Sequence, residues 1–218
     1  MRRVVRIVGM APRTTDEQAA LVARARAGDY DAFAALVDAH AGGVYALARR
    51  IVRQDQDAED VVQTAFIAAL EHLDGFREDA SFKTWLHRIA TNAALKVLRK
   101  RRGLPLAAPL GGTGDEDQPL PMPERIADWR ADVGRAVENR EFRALLEDAI
   151  DRLDEKYRLV FILRDIEELN VKETADQLGI TESNVKVRLM RARLQLREVL
   201  SRALGVGPDL KPDHAHPH

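Results

Sequence analysis

The chain of 218 residues contains no cysteine, few aromatic residues and no long apolar run. The absence of cysteine excludes disulfides, thiolate zinc sites and cysteine nucleophiles, and it fits a reducing compartment. No stretch approaches the roughly 20 apolar residues that a membrane span needs. The basic start MRRVVRIVGM also falls short of a signal peptide, because Arg6 interrupts its apolar run. We therefore predict a cytoplasmic protein with no membrane partner.

The charges are segregated along the chain although they nearly cancel, with a formal net charge of −1. Residues 80–102 contain seven Lys and Arg and no acid, and a second basic block opens the chain. Acids concentrate in the stretches RQDQDAED and GDEDQPLPMPERIAD. In a nearly neutral chain, this separation indicates two local contacts with anionic partners rather than general affinity for polyanions.

Helical periodicity dominates the sequence, and no convincing alternation typical of a strand is present, so we predict an all-α fold. A stretch rich in Gly and Pro, without apolar periodicity, separates two small helical domains. The predicted segments are a disordered arm over 1–15, a first domain over 16–102, a flexible linker over 103–139, a second domain over 140–204 and a disordered tail over 205–218.

The second domain has the signals of a helix-turn-helix in the stretch NVKETADQLGITESNVKVRLMRARLQL. Asn170 and Glu173 can form a capping box that begins the first helix. Gly179 stands where that helix must end, and Thr181 can cap the next helix. A short helix, a glycine turn and a longer basic helix form the arrangement that places a recognition helix in the DNA major groove.

The longer basic helix has an apolar stripe and a basic face when it is projected at about 100° per residue. The stripe comprises Val185, Leu189, Ala192, Leu196 and Val199, and the far side carries Lys186, Met190, Arg193 and Arg197. A solvated basic face explains the arginines, but it explains the apolar Val187 and Met190 poorly. Apolar side chains can contact thymine methyls while Lys and Arg hold phosphates or guanine edges. We expect Arg188, at the edge of the stripe, to contact the DNA backbone.

One face of a helix in the first domain, in DAEDVVQTAFIAALEHL, does not have the composition of a core. Its apolar stripe comprises Val61, Val62, Ala65, Phe66, Ala69 and Leu73, and the opposite face carries Asp60, Gln63, Thr64, Ile67 and Glu71. An exposed Ile among acids and amides suits a protein-docking surface with a basic partner. Single exposed apolar residues are also common on ordinary surfaces.

The helix in SFKTWLHRIATNAALKVLRKRR combines a buried stripe with a polar border. The predicted stripe comprises Phe82, Trp85, Leu86, Ile89, Ala93 and Val97. Along its border Arg88, Asn92 and Arg99 recur at helical spacing, and amide and guanidinium groups of this kind suit unstacked bases and phosphates. The alternative for the terminal basic run is that it only complements the dipole of the helix C-terminus.

Three motifs in one order resemble bacterial sigma factors of the extracytoplasmic-function (ECF) group, in the sigma-70 family. They are DAEDVVQTAF, SFKTWLHRIATNAALKVLRKRR and LDEKYRLVFILRDIEELNVKETADQLGITESNVKVRLMRAR. The resemblance covers both domains and implies a subunit that binds core RNA polymerase and directs it to promoters. The first domain would open and read the minus-ten element, and the helix-turn-helix would read the minus-thirty-five element.

The resemblance also implies roles for individual residues. The contact with the β′ clamp helices of the polymerase would use Glu59, Asp60, Gln63 and Thr64. Capture of a flipped base from the non-template strand would use Phe76, Ile89 and Asn92. The readers of duplex DNA would include Lys186, Val187, Met190 and Arg191. The linker would thread toward the RNA exit path, and the implied partners are core RNA polymerase (β′ and β subunits), duplex and single-stranded promoter DNA, and an anti-sigma factor.

Two other classes of protein fit parts of the sequence less well. A stand-alone helix-turn-helix regulator accounts for residues 170–197, but it leaves the acid-free block at 80–102 without a role. An enzyme has little support, because no nucleophile–base pair or Gly-rich phosphate loop stands out. The candidate metal ligands His214, His216 and His218 lie in a tail whose composition favours disorder over an organised site. We predict no catalytic residue, metal or cofactor.

Overall fold

The structure of the chain is a computed structural model. All regular structure in its described part is helical, and the predicted all-α fold is confirmed. The described residues are 15–77, 80–105, 108–110 and 140–203. The chain divides into two compact units, residues 1–106 and 107–218. The predicted tail, the predicted arm up to residue 14 and most of the predicted linker lie outside the described residues.

The first unit contains four helices and a 3-10 turn within its described residues. They are α1 (Thr15–Arg26), α2 (Tyr30–Val52), α3 (Asp55–Glu71), the 3-10 turn (Leu73–Gly75) and α4 (Phe82–Arg101). The Asp29 carboxylate begins α2 by accepting the Ala32 N–H at 3.0 Å. The Ser81 hydroxyl begins α4 in the same way, by accepting the Thr84 N–H at 3.1 Å. Each cap satisfies a backbone donor that the helix leaves unpaired and stabilises the helix by about 1 kcal/mol.

The core of the first unit lies where α2, α3 and α4 pack against one another. On α3 the buried residues are Ala58, Val61, Ala65, Phe66 and Ala69, close to the predicted stripe. On α4 the buried apolar residues are Phe82, Leu86, Ala90, Ala94, Leu95 and Leu98, whereas the predicted Trp85, Ile89, Ala93 and Val97 are half-buried. The buried face of α4 is therefore displaced around the helix from the predicted stripe, because α4 packs against two helices at once.

The second unit contains α5 (Arg140–Arg152), α6 (Glu155–Phe161), a π-helical turn (Ile162–Ile166), α7 (Val171–Leu178) and α8 (Glu182–Ala203) among its described residues. Helices α5, α6 and α7 all contact α8, which is the central helix of this described core. Its stripe is buried at Val185, Leu189, Ala192 and Leu196, as predicted, and the stripe continues at Leu200. Val199, which was predicted to belong to the stripe, is half-buried.

The helix-turn-helix is formed by α7, Gly179 and α8, and its predicted local signals are confirmed. Asn170 Oδ1 accepts the Glu173 N–H at 2.9 Å, while Glu173 Oε2 accepts the Asn170 N–H at 2.8 Å. Gly179 adopts a φ of 69°, the left-handed conformation that glycine tolerates best at a helix end. Thr181 Oγ1 accepts the Asn184 N–H at 3.1 Å and so begins α8.

A short part of the predicted linker packs against the helix-turn-helix instead of forming a free tether. Leu110 is 1% exposed. Its N–H donates to the carbonyl of Leu178 at 2.9 Å, and its own carbonyl accepts from the guanidinium of Arg188 at 3.3 Å. Leu178 ends α7, where carbonyls lack partners within the helix. Leu110 thus caps α7 and joins α7 to α8 through Arg188.

Candidate nucleic-acid and protein interfaces

The outer face of α3 is a polar surface with an apolar centre, and we call it the α3 docking face. It comprises Glu59, Asp60, Gln63, Thr64, Ile67 and Leu70, all of which are exposed. Ile67 is 60% exposed and Leu70 is 44% exposed. Because they are three residues apart on a helix, these two side chains are neighbours. Leu70 was missing from the predicted set, although the spacing from Gln63 and Ile67 locates it on the same face.

Exposed aliphatic side chains beside carboxylates are a combination that suits a protein partner with basic side chains. The aliphatic centre can lose water against the partner, while the polar rim supplies specificity. A DNA strand would be repelled by Glu59 and Asp60, since neither carboxylate has a basic neighbour within the α3 docking face. The charge of this surface therefore favours a protein over a nucleic acid.

An aromatic cluster lies where the 3-10 turn leads into α4. The ring centroids of Phe76 and Trp85 are 5.1 Å apart, and those of Phe76 and Phe82 are 5.9 Å apart in an edge-to-face arrangement. Phe82 and Trp85 complete the cluster at 5.6 Å. Phe76 is only 6% exposed, so it can wall a base pocket but presents little ring surface to solvent. Trp85 is half-buried and lies at the accessible side of the cluster.

The polar border of α4 is divided by burial. Arg88 and Asn92 are exposed and Ile89 is half-buried, so the three lie on one accessible edge of the helix. Arg99 is different, because it is 8% exposed. Burial lowers the pKa of the Arg99 guanidinium. This burial disfavours the expectation that Arg99 contacts single-stranded DNA, because the wide packing face of α4 reaches this position.

The basic face of α8 is narrower than the predicted set. Lys186 is exposed, and Met190 and Arg191 are half-buried. Val187 is 7% exposed and Arg188 is fully buried. Their burial disfavours the expectation that these two side chains contact DNA, and for Arg188 the physical reason is visible. Its guanidinium points inward to the carbonyl of Leu110 instead of outward to a phosphate.

Two protein-family models match this chain, one in each unit. The family model Sigma-70 region 2 matches residues 36–103, and the model Sigma-70, region 4 matches residues 143–196. The chain is 35% identical over 180 residues to the ECF RNA polymerase sigma factor SigW of Bacillus subtilis, an alignment that covers 82% of this chain and 94% of SigW. The chain belongs to the ECF sigma factors. It directs promoter-specific transcription, as this family does.

Two further relatives of this ECF sigma factor extend the comparison. It is 33% identical over 193 residues to the ECF RNA polymerase sigma factor SigM of Mycobacterium tuberculosis, which covers 88% of this chain and 89% of SigM. Among solved structures it is similar to CnrH in complex with the cytosolic domain of CnrY, with 28% identity, a TM-score of 0.48 and coverage of 86% of this chain and 99% of that chain. The α3 docking face and the aromatic cluster fall within the region 2 match, and α7 and the part of α8 up to residue 196 fall within that of region 4.

Another arginine of the sigma factor's α8 also serves the fold. Arg193 was predicted on the far, basic side of the helix, but it donates to both carboxylate oxygens of Asp165, at 2.8 and 2.6 Å. Both side chains are largely buried. This two-point ion pair joins α8 to the π-helical turn. Sequence periodicity could not identify it, because Asp165 lies 28 residues away along the chain.

No cluster of three or more His, Cys, Asp or Glu that could hold a metal ion occurs in the described residues of the sigma factor. Within the same ranges, no helix combines the length and the apolar character needed to cross a membrane. The tail histidines His214, His216 and His218 lie outside the described residues.

Proposed function

We propose that this ECF sigma factor binds core RNA polymerase through the α3 docking face. Exposed carboxylate and amide groups of Asp60 and Gln63 flank the aliphatic centre formed by Ile67 and Leu70. The β′ clamp helices are the expected partner, with further contacts to the β subunit. A complementary surface that covers these aliphatic side chains removes them from water and so favours binding.

Promoter opening is assigned to the edge of α4 and the aromatic cluster. Asn92 can donate to and accept from the edge of a single-stranded base, and Arg88 can contact phosphate. Ile89, Phe76 and Trp85 supply the apolar walls beside them. Extruding a base from the duplex costs a few kcal/mol of stacking, which pocket contacts of this kind offset. The captured base would belong to the non-template strand of the minus-ten element.

Recognition of the minus-thirty-five element is assigned to the first half of α8. Lys186 and Arg191 are the basic side chains proposed to contact phosphates or guanine edges, and Met190 is proposed to contact an apolar base edge. The capping box of α7 and the Gly179 turn support this assignment, because they fix the angle at which α8 leaves α7. Val187 and Arg188 are excluded from the proposed set by their burial.

The remaining parts of the proposed function follow from the family. The protein acts without catalysing a reaction itself, and it works in the cytoplasm, where promoter DNA and polymerase are found. An anti-sigma factor is its expected regulatory partner. The observation that carries the proposal is the order of the two modules, with region 2 matching residues 36–103 and region 4 matching residues 143–196.

The experiment that separates a sigma factor from a stand-alone helix-turn-helix regulator is promoter binding with and without core polymerase. Footprinting on a duplex promoter should show no protection by the purified chain alone. Addition of core polymerase should produce protection over both promoter elements. Protection of duplex DNA by the chain alone, unchanged on addition of core, would instead identify a classical regulator.

A further inference from the structure

Arg26, the last residue of α1, reaches across to the segment that carries Phe76. Its Nε donates to the carbonyl of Leu73 at 3.1 Å, and its Nη2 donates to the carbonyl of Phe76. The same guanidinium lies over the Phe76 ring, with its central carbon 5.7 Å from the ring centroid. One side chain therefore holds both ends of the 3-10 turn region and one face of the aromatic ring.

Phe76 also contacts the two other rings of the aromatic cluster. Trp85 lies 5.1 Å from Phe76, between centroids, and Phe82 lies 5.9 Å from it. The Phe76 ring thus contacts a guanidinium on α1 and two aromatic rings on α4. The Phe76 backbone adopts an extended conformation after the 3-10 turn, so Phe76 is not held within a helix of its own. The contacts of Arg26 with the two carbonyls and with the ring add to those of Trp85 and Phe82 in holding Phe76 in place.

We infer that Arg26 is a positioning residue for the pocket that captures the flipped minus-ten base. This inference rests on the proposed function, and it adds a residue that lies before the region 2 match, which begins at residue 36. The planar guanidinium can donate to two carbonyls at once while it stacks on a ring. A lysine ammonium keeps the charge but cannot reproduce that fork geometry.

The test measures binding of the full chain with core polymerase to a fork-junction promoter whose non-template strand carries one abasic site at a time. In the wild type, the abasic site at the captured position should weaken binding roughly tenfold, the loss expected when one stacked base is removed. Arg26→Ala should weaken binding of the intact strand while binding of that abasic strand stays unchanged. The abasic penalty at this one position should therefore shrink to about twofold or less.

Two variants make the result specific. Arg26→Lys should give an intermediate penalty, and it also serves as the test protein if Arg26→Ala does not fold. Arg24→Ala is the matched control, because Arg24 lies on the same helix but pairs with Asp29 at 2.6 Å. It should retain the wild-type penalty. Competition for core polymerase should give the same affinity for all three variants and the wild type.

A merely structural role gives a different outcome. The positioning role would be overturned if the abasic penalty of Arg26→Ala equalled that of the wild type, whether the variant weakened binding of both strands equally or of neither. A failure of the proposed function gives a distinguishable result, because the wild type itself would then show no abasic penalty at any position of the minus-ten element.

Discussion

At the scale of the residue, burial separates the basic side chains of this sigma factor into two classes. Lys186 is exposed on α8, whereas Arg188, two positions later, is fully buried and donates to the carbonyl of Leu110. Arg193 is likewise committed to Asp165. A basic residue on a helix that is proposed to read DNA is thus not evidence of a DNA contact until its surroundings are known. Arg188 and Arg193 hold segments of the second unit together.

A substitution at Arg188 tests whether this side chain stabilises the fold or contacts DNA. Arg188→Ala should destabilise the second unit by roughly 2–4 kcal/mol, because it leaves the buried Leu110 carbonyl without its charged donor and opens a cavity. Hydrogen exchange of the α7 and α8 amides in the full chain should report the change. Lys186→Ala, on the same helix, is the control and should leave exchange at its wild-type rate. Equal protection in both variants would show that Arg188 has no structural role.

At the scale of the element, the boundaries of α7 and the start of α8 could be predicted from the sequence, whereas the helix faces could be predicted only in part. The capping box at Asn170 and Glu173 and the turn at Gly179 depend on residues within four positions, so local spacing is sufficient. The face of α4 depends on which helices pack against it. The contact between Arg188 and the carbonyl of Leu110 joins residues that are 78 positions apart along the chain. Helical periodicity cannot predict a contact of this kind.

The α3 docking face is the element through which core polymerase is proposed to bind. Asp60→Ala combined with Gln63→Ala should weaken binding to core by roughly tenfold or more, since polar groups around an aliphatic centre supply specificity and affinity. Competition against the wild type for core polymerase measures this directly. Asp38→Ala, an exposed acid on α2, is the matched control and should bind as the wild type does. An unchanged affinity of the double variant would remove this face from the interface.

The exposed face of α8 is the element proposed to read the upstream promoter sequence. Lys186→Ala and Arg191→Ala should each reduce transcription from an intact promoter roughly fivefold to a hundredfold, the usual range for loss of one base or phosphate contact. The same variants should lose little further activity when the minus-thirty-five element is scrambled. Arg202→Ala, at the far end of α8, is the basic control, since Arg202 pairs with Glu198. Equal wild-type transcription from intact and scrambled elements would contradict the assignment.

At the scale of the whole molecule, the function depends on two compact units in a fixed chain order. The region 2 match lies in the first unit and the region 4 match in the second. Motif order was visible in the sequence because each module carries its own local signals. The partner of each surface could not be predicted in the same way, because the partners are other molecules. Only the charge and exposure of the surface indicate what binds to it.

The central claim is tested most directly by run-off transcription with purified core polymerase and this chain on a library of genomic fragments. The predicted result is a small set of transcripts that require the chain and begin downstream of a shared pair of promoter elements. Omission of the chain should abolish them. Transcripts that are identical with and without the chain, or the absence of any chain-dependent start site, would contradict the assignment as a sigma factor.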